Sequence, residues 1–427
     1  MIETVRNAWK IEDLRKKMGF TLFILVLFRI GTTIPVPFID TRALSASLEA
    51  RAGTIFGYMD LLSGGAFSQG TVFALSISPY INASIILQLL TIAIPALERL
   101  SKEGDTGRKK IGQYTRYLTV FISSMMAYGA YGLLNNQFGV INSPGALTAL
   151  VIVVTLTAGS LLLVWLGDQI NSFGIGNGIS IILFAGIAAR APASIRNMVA
   201  YVLTGLLHPA IAGVIVIGAI AMVALVVMVT NAERRIPVQY AKRVVGRKIY
   251  GGQSTHIPVK VNSTGVIPVI FAQSFLSIPS TITMFVQPAP GGFWDSFTRV
   301  FSMNHPVYAV LYAVFIVGFS FFYMSTQMNP QEIGNNLSQN GGTIRGIRQG
   351  RSTTEYLRGI FNRITFFGSW FLVFIAIVPI ITSWFMPPYV NISLGGTTVI
   401  ILVGVALETV KQMESMMLVR HYRGFLE

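Results

Sequence analysis

Few side chains in this 427-residue chain could perform chemistry, and their spacing argues against it. The four histidines, His208, His256, His305 and His421, fall in loops or the tail, and no two have the spacing of a metal pair. There is no cysteine, hence no thiolate nucleophile, disulfide framework or Cys-based metal site. No P-loop pattern occurs. Gly174-Ile175-Gly176-Asn177-Gly178 looks like a dinucleotide loop, but Ile179 stands where the last glycine belongs and no strand precedes it, so a nucleotide site is dismissed. Charged groups are sparse within the apolar segments, where the carboxylate Glu408 and the mid-span cation Arg29 stand out. A proton-coupled transporter usually needs more intramembrane carboxylates, and a narrow ion channel a ring of charge. The expectation is a protein that is not an enzyme and holds no cofactor or metal.

Apolar spacing remains. Ile77 and Ile81 in SISPYINAS are four apart and share a helix face, and Ile179 and Leu183 in GNGISIILFAG repeat that spacing. Ile270 follows Pro268, and Ile401 follows the Gly395-Gly396 bend. Aliphatic residues in membrane helices mostly face lipid or neighbouring helices, so these six matter only if a fold brings them together.

The elements that would do so are membrane spans. The chain is 52% hydrophobic and only 11% charged, against about 25% charged in soluble domains. Its apolar blocks approach the ~20 residues a spanning helix needs. Ten spans are predicted, near 20–37, 72–95, 115–134, 147–167, 177–199, 210–230, 263–285, 307–327, 365–386 and 395–417, the fifth broken by Pro192. The first block ends in TTIPVPFID without a small-residue cleavage site and reads as a mature helix. The stretch Thr54–Pro95 is unusual. Its first part is rich in Gly and Ser, and its second is apolar but carries Ser76, Ser78, Pro79, Tyr80, Asn82 and Ser84. Irregular backbone at membrane depth is tolerated only where protein covers it or it lines a water-filled cavity, so this stretch predicts a cavity.

Charge gives the orientation. Most of the 32 basic residues fall on one side if the N-terminus is cytoplasmic, leaving Arg42, Arg51, Arg190, Arg196 and Arg299 outside. The positive-inside rule then places both termini in the cytoplasm. The net charge of +15 follows from topology and requires no nucleic acid. Two cytoplasmic loops are long. In residues 231–262, alternating Val, Tyr and Ile around Tyr250-Gly251-Gly252 predict a projecting β-hairpin. Residues 328–364 are rich in Gly and Arg without clear periodicity. Loops beyond ~15 residues are usually functional or disordered. These two read either as solvated anchors or as a docking surface for a large acidic partner.

FRIGTTIPVPFID, LLSGGAFSQGTVFALSISPYINASIILQLLT, EGDTGRKKIGQYTRY, GIGNGISIILFAGI, YAKRVVGRKIYGGQSTHIPVKVN, GVIPVIFA, NPQEIGNNL and GGTTVIILV, in this order, resemble the SecY family, the large subunits of bacterial protein-conducting channels. The resemblance covers essentially the whole chain. It implies an all-α integral membrane protein of ten transmembrane helices in two inverted five-helix halves, residues 1–200 and 201–427, closing as a clamshell around an hourglass pore. The pore ring would be Ile77, Ile81, Ile179, Leu183, Ile270 and Ile401. A plug, roughly 56–70 and including Phe56, Leu61, Ser63, Gly64, Gly65 and Phe67, would rest on it from outside. A lateral gate would open between spans two and three and spans seven and eight, with Gln88 and Asn262 as polar positions. Arg243, Arg247, Lys248 and Arg348 would meet the motor ATPase SecA or the ribosome. SecE and SecG would be small membrane partners, preproteins the substrates, lipid the exit for membrane segments, and the bacterial plasma membrane the location. The family commonly shows Gly-Ile-Arg-Pro-Gly where this chain has Gly346-Ile347-Arg348-Gln349-Gly350, so the turn is expected to be less rigid.

A passive channel is thus the leading expectation. A secondary transporter with inverted repeats is the alternative from another class, disfavoured by sparse intramembrane charge. An intramembrane enzyme lacks paired catalytic residues.

Overall fold

The computed structural model describes residues 2–49, 60, 63–240, 243–245, 248–250, 254–282, 292, 297, 300–301, 305–384 and 396–423. Helices dominate. The N-terminal part holds α1 (Ile2–Lys10), α2 (Glu12–Gly31), α3 (Thr41–Glu49), α4 (Ser78–Ala93), α5 (Pro95–Lys102), α6 (Asp105–Leu133), α7 (Ala146–Phe173) and α8 (Gly178–Leu203). Then come α9 (Pro209–Asn231), α10 (Ile267–Ile282), α11 (Pro306–Gln327), α12 (Pro330–Gln339), α13 (Arg351–Trp384) and α14 (Gly396–Arg423).

Among the described residues six helical segments are long and apolar enough to cross a membrane, and a seventh results if α4 and α5, bent by 101° at Ile94, are counted as one span. The helices at the other expected spans differ in kind. α2 begins with Glu12, Asp13, Arg15, Lys16 and Lys17, and α10 is only 16 residues long. The membrane character is plainest on α9, where Val214, Ile217 and Ile220 are each at least 65% exposed. An apolar surface of that kind needs hydrocarbon or another helix against it.

Proline placement corrects two expectations. Pro79 does not break a helix: it sits in the first turn of α4, where its missing N–H has no partner to lose. Pro95 begins α5 in the same way. Pro192 lies within α8, which continues to Leu203, so span five is one helix.

The first long loop forms the expected hairpin, with more detail. β1 (Glu233–Tyr240) pairs antiparallel with β4 (Ser254–Lys260), matching Ile236 to Ile257, and β2 (Arg243–Val245) pairs with β3 (Lys248–Tyr250). The chain reverses between Val245 and Lys248, so Tyr250 lies on a strand rather than at the turn. The second loop, without periodicity in sequence, supplies α12 and β5 (Gly342–Ile344), and β5 joins the other edge of β1 in the order β4-β1-β5. Ile236, Val238 and Val259 pack with Leu337, Ile344, Leu357 and Phe361 beneath the sheet. The two loops are therefore one small folded unit.

Three larger clusters fill the rest. One joins the α3 region to α6 and α7 through Leu44, Leu75, Ala130 and Leu156. Another joins α10, α11, α13 and α14 through Leu276, Tyr312, Leu372 and Ile400. The third lies between these regions and contains the candidate site.

Candidate pore waist and its seal

The third cluster gathers all six aliphatic residues singled out by sequence. Ile77, Leu183 and Ile401 are buried in it, and Ile81, Ile179 and Ile270 are partly buried against it. Four separate helices supply them, each from its first two turns. Ile77 is the residue before α4 and Ile81 lies one turn later, while Ile179 and Leu183 stand on the first two turns of α8. Ile270 is near the start of α10 and Ile401 near the start of α14. The contact is apolar throughout, with Phe28, Phe73, Leu163, Ile170 and Val405 behind it.

Local sequence fixes those helix starts. The glycine run that imitates a nucleotide loop is a helix-entry device. Asn177 caps α8, its Oδ1 accepting from Ser180 N at 3.3 Å, and Gly178 N donates to Asn171 Oδ1 at 2.8 Å. Gly178 and Gly167 touch backbone to backbone: a Cβ on Gly178 would stand 1.9 Å from the Gly167 carbonyl oxygen. That close crossing of α7 and α8 sets where Ile179 and Leu183 point.

Residues 63–77 run in turns, interrupted at Thr71 by a bridge to Pro35, and pack against the cluster and its neighbour. Ala66 is fully buried in the same cluster as the six aliphatics, whereas Phe67 packs into the neighbouring cluster with Ile39, Leu44 and Leu75. Ser63 is fully buried and its Oγ accepts from Phe67 N at 3.1 Å. Gly64 has φ +67° and lies against Gly186 of α8, where a Cβ would come within 2.9 Å of the Gly186 Cα. Gly65, at φ +94°, lies against the Arg190 side chain. Both glycines are thus required by backbone conformation and by proximity. Phe56 and Leu61 lie outside the described residues.

After Gly70 the segment is tied down. Val36 N donates to Gly70 O at 2.9 Å and Val72 N to Ile34 O at 3.0 Å. Arg29, expected in mid-span, stands in the last turn of α2 and its Nη1 donates to the Gly64 carbonyl at 3.3 Å. Arg190, read from sequence as an outer-loop residue, lies on α8, is ion-paired with Asp60 and donates to Ser68 Oγ at 3.2 Å. Sequence reasoning missed Asp60 and Arg190 as a pair. The one available signal was a carboxylate in the Gly/Ser-rich stretch and an arginine near the outer end of a span.

The other expected positions are more scattered. Gln88 is half-buried on α4. Asn262 is buried before α10, and its Oδ1 has no hydrogen-bond partner among the described residues. An unpaired buried amide oxygen is costly in a sealed structure and marks a place where a polar contact is missing. Arg243 and Lys248 occupy the small β2–β3 hairpin and Arg247 lies outside the described residues. Arg348 is exposed, and its carbonyl accepts Thr353 Oγ1 at 2.8 Å. The turn lacking proline is nevertheless braced, because Gln349 Nε2 donates to Gly342 O at 3.3 Å. At the base of the loop Glu233 accepts from Arg235 Nε at 2.7 Å, which holds its carboxyl below the usual range. Among the described residues no cluster of His, Asp or Glu could hold a metal ion.

The model of the SecY family matches residues 71–410. The chain belongs to the SecY family. Curated relatives agree along their whole length: the protein translocase subunit SecY of Streptomyces galbus is 45% identical and that of Aquifex aeolicus 43%, each alignment covering all of both chains. Solved structures share the fold at 20% identity. A protein-conducting channel superposes with TM-score 0.65, and a SecY studied for a plug domain that stabilises its closed state with 0.68, each covering 94% of this chain and 92% of its own. The chain is a membrane translocase subunit with a plug-bearing channel fold, not an enzyme.

Proposed function

We propose that this chain is the central pore of a bacterial protein translocon, passing unfolded secretory chains outward and releasing apolar segments sideways into lipid. The observation that carries this is the meeting of Ile77, Ile81, Ile179, Leu183, Ile270 and Ile401 in one cluster, with Ala66 packed on it. Aliphatic side chains contact any passing sequence without a preferred hydrogen-bond partner, and when empty an apolar constriction tends to dewet and impede ions. Residues 56–70 are the plug, hinged near Gly70 because the chain beyond is bonded to Ile34 and Val36.

In this reading ten spans form two five-helix halves, 1–200 and 201–427, with both termini in the cytoplasm of a plasma-membrane protein. α2, α10 and α14 complete the count beyond the seven segments described above. The lateral gate lies between spans two and three and spans seven and eight. Asn262 and Gln88 are its polar positions, and the unpaired Asn262 Oδ1 supports a contact remade as the gate moves. Arg243, Arg247, Lys248 and Arg348 dock SecA or the ribosome, and the folding of both loops into one unit supports a shared docking face. Ribosome-bound relatives of this fold exist, including canine Sec61 with TM-score 0.61. SecE and SecG are the small partners, and the exposed apolar face of α9 offers room for one.

The natural absence of cysteine allows a direct test. A single cysteine at Ile81 or Phe67 is expected to crosslink to a cysteine in a secretory chain stalled during transport. Absence of crosslinking from both sites would remove the pore assignment.

A further inference from the structure

The plug is held by charge as well as by packing. Asp60 sits at the centre of the polar contacts. Its carboxylate pairs with Arg190 and accepts from Ser68 N at 2.7 Å, and its carbonyl takes Ser63 Oγ at 3.0 Å and Gly65 N at 2.9 Å. From α8, Arg190 also reaches Ser68 Oγ, and from α2, Arg29 reaches the Gly64 carbonyl. Two helices of the wall thus hold one short loop through guanidinium groups. The side chains of Arg190 and Asp60 are 29% and 13% exposed, so water screens their attraction only in part. Between residues 32 and 70 the other acidic side chain described is Asp40, which is engaged at the start of α3, accepting from Arg42 N and Ala43 N. Among the described residues, Asp60 is the carboxylate that meets Arg190, while Arg29 reaches the same loop through the Gly64 carbonyl.

We propose that Arg190 is the positioning residue of the seal, holding the plug shut through Asp60 with Arg29 as a second tie. The inference rests on residues 56–70 being the plug. A charged tie suits a stopper that must open. The pair is firm while the site is dry. Once a translocating chain admits water, attraction between unit charges weakens about fourfold as the effective dielectric rises from ~20 to ~80. An all-apolar contact has no such release. Gly65 is pressed against the Arg190 guanidinium, a Cβ there falling 3.2 Å from Nε, so movement of the loop and loss of the pair go together.

The test measures resting ion conductance of the whole translocon in planar bilayers. Asp60→Asn and Arg190→Gln are each expected to raise it several-fold, while Arg190→Lys stays near the parent because it keeps the charge. Asp60→Asn lies in the loop and leaves the helix packing alone, so it guards against a folding defect in α8. If both neutral variants conduct like the parent, or if Arg190→Lys leaks as much as Arg190→Gln, the proposed tie is overturned. Deleting residues 56–70 separates the two readings. A leak in the deletion alone overturns the tie and keeps the plug, and no leak in the deletion overturns the plug itself.

Discussion

Ser160 Oγ donates to the carbonyl of Ser76 at 2.7 Å, joining α7 to the last turn before α4 across 84 positions of sequence. Ser76 has φ +53°, a left-handed conformation uncommon outside glycine, and its neighbour Ile77 begins the apolar waist. Beside this bond, Gly159 meets the backbone of Val72 so closely that a Cβ would fall 2.0 Å from its carbonyl oxygen. One hydrogen bond and one bare backbone face therefore fix the height at which Ile77 enters the site.

Two substitutions separate those contributions. Ser160→Ala removes a buried hydrogen bond and is expected to cost about 1 kcal/mol, or somewhat more for the orphaned carbonyl. Gly159→Ala forces backbone apart and is expected to lower the thermal midpoint of the detergent-solubilised complex far more. Equal midpoints for the two variants would mean that the close approach does not matter.

Replacing Ile401 by Asn places an amide in the apolar waist, where Ile401 is 3% exposed. An unpaired buried amide costs roughly 1–3 kcal/mol. The closed state is expected to weaken, so that resting conductance rises and defective signal sequences gain passage. Unchanged conductance together with unchanged signal stringency would contradict the placement of Ile401 in the ring.

The α8 entry gives a graded pair. Asn177→Ala loses a cap, expected to cost about 1 kcal/mol. Gly178→Ala meets the Gly167 carbonyl and is expected to prevent stable accumulation in the membrane. Purified parent protein is expected to bind no nucleotide at this glycine run by equilibrium dialysis. Normal accumulation of the Gly178 variant would show that α7 and α8 can separate at little cost.

Between β5 and α13, Arg348→Glu is expected to abolish motor-driven translocation into vesicles while leaving assembly intact. Gln349→Ala, which loses the donor to Gly342 O, is expected to reduce it only partly by loosening the turn. Gln349→Pro is expected to restore rigidity through the fixed φ of proline. ATP-driven transport at the parental rate by the Arg348 variant would reject its docking role.

Several features are legible in the sequence. Composition and apolar block length reveal a membrane protein, because hydrocarbon demands long runs without charge whatever the packing. The i, i+4 pairs Ile77–Ile81 and Ile179–Leu183 pick out four members of the aliphatic cluster, and the alternation in residues 231–262 a hairpin. Other features carry no periodic signal. β5 is three residues of Gly, Thr and Ile that become a strand only because β1 presents an open edge. Gln349 looks like a loss of rigidity until Gly342 is placed within reach. Pro79 looks like a break until its helix is seen to begin there.

By itself, then, the sequence determined the solvent, the kinds of residue available to the site and the absence of catalytic groups, because these depend on composition and local spacing. Tertiary structure decided which residues meet. It brought Ile270 and Ile401 to Ile77 and Leu183, bonded Ser160 to Ser76, and placed Arg190 on Asp60. Each of these contacts joins positions far apart in the chain, so no local pattern encodes it.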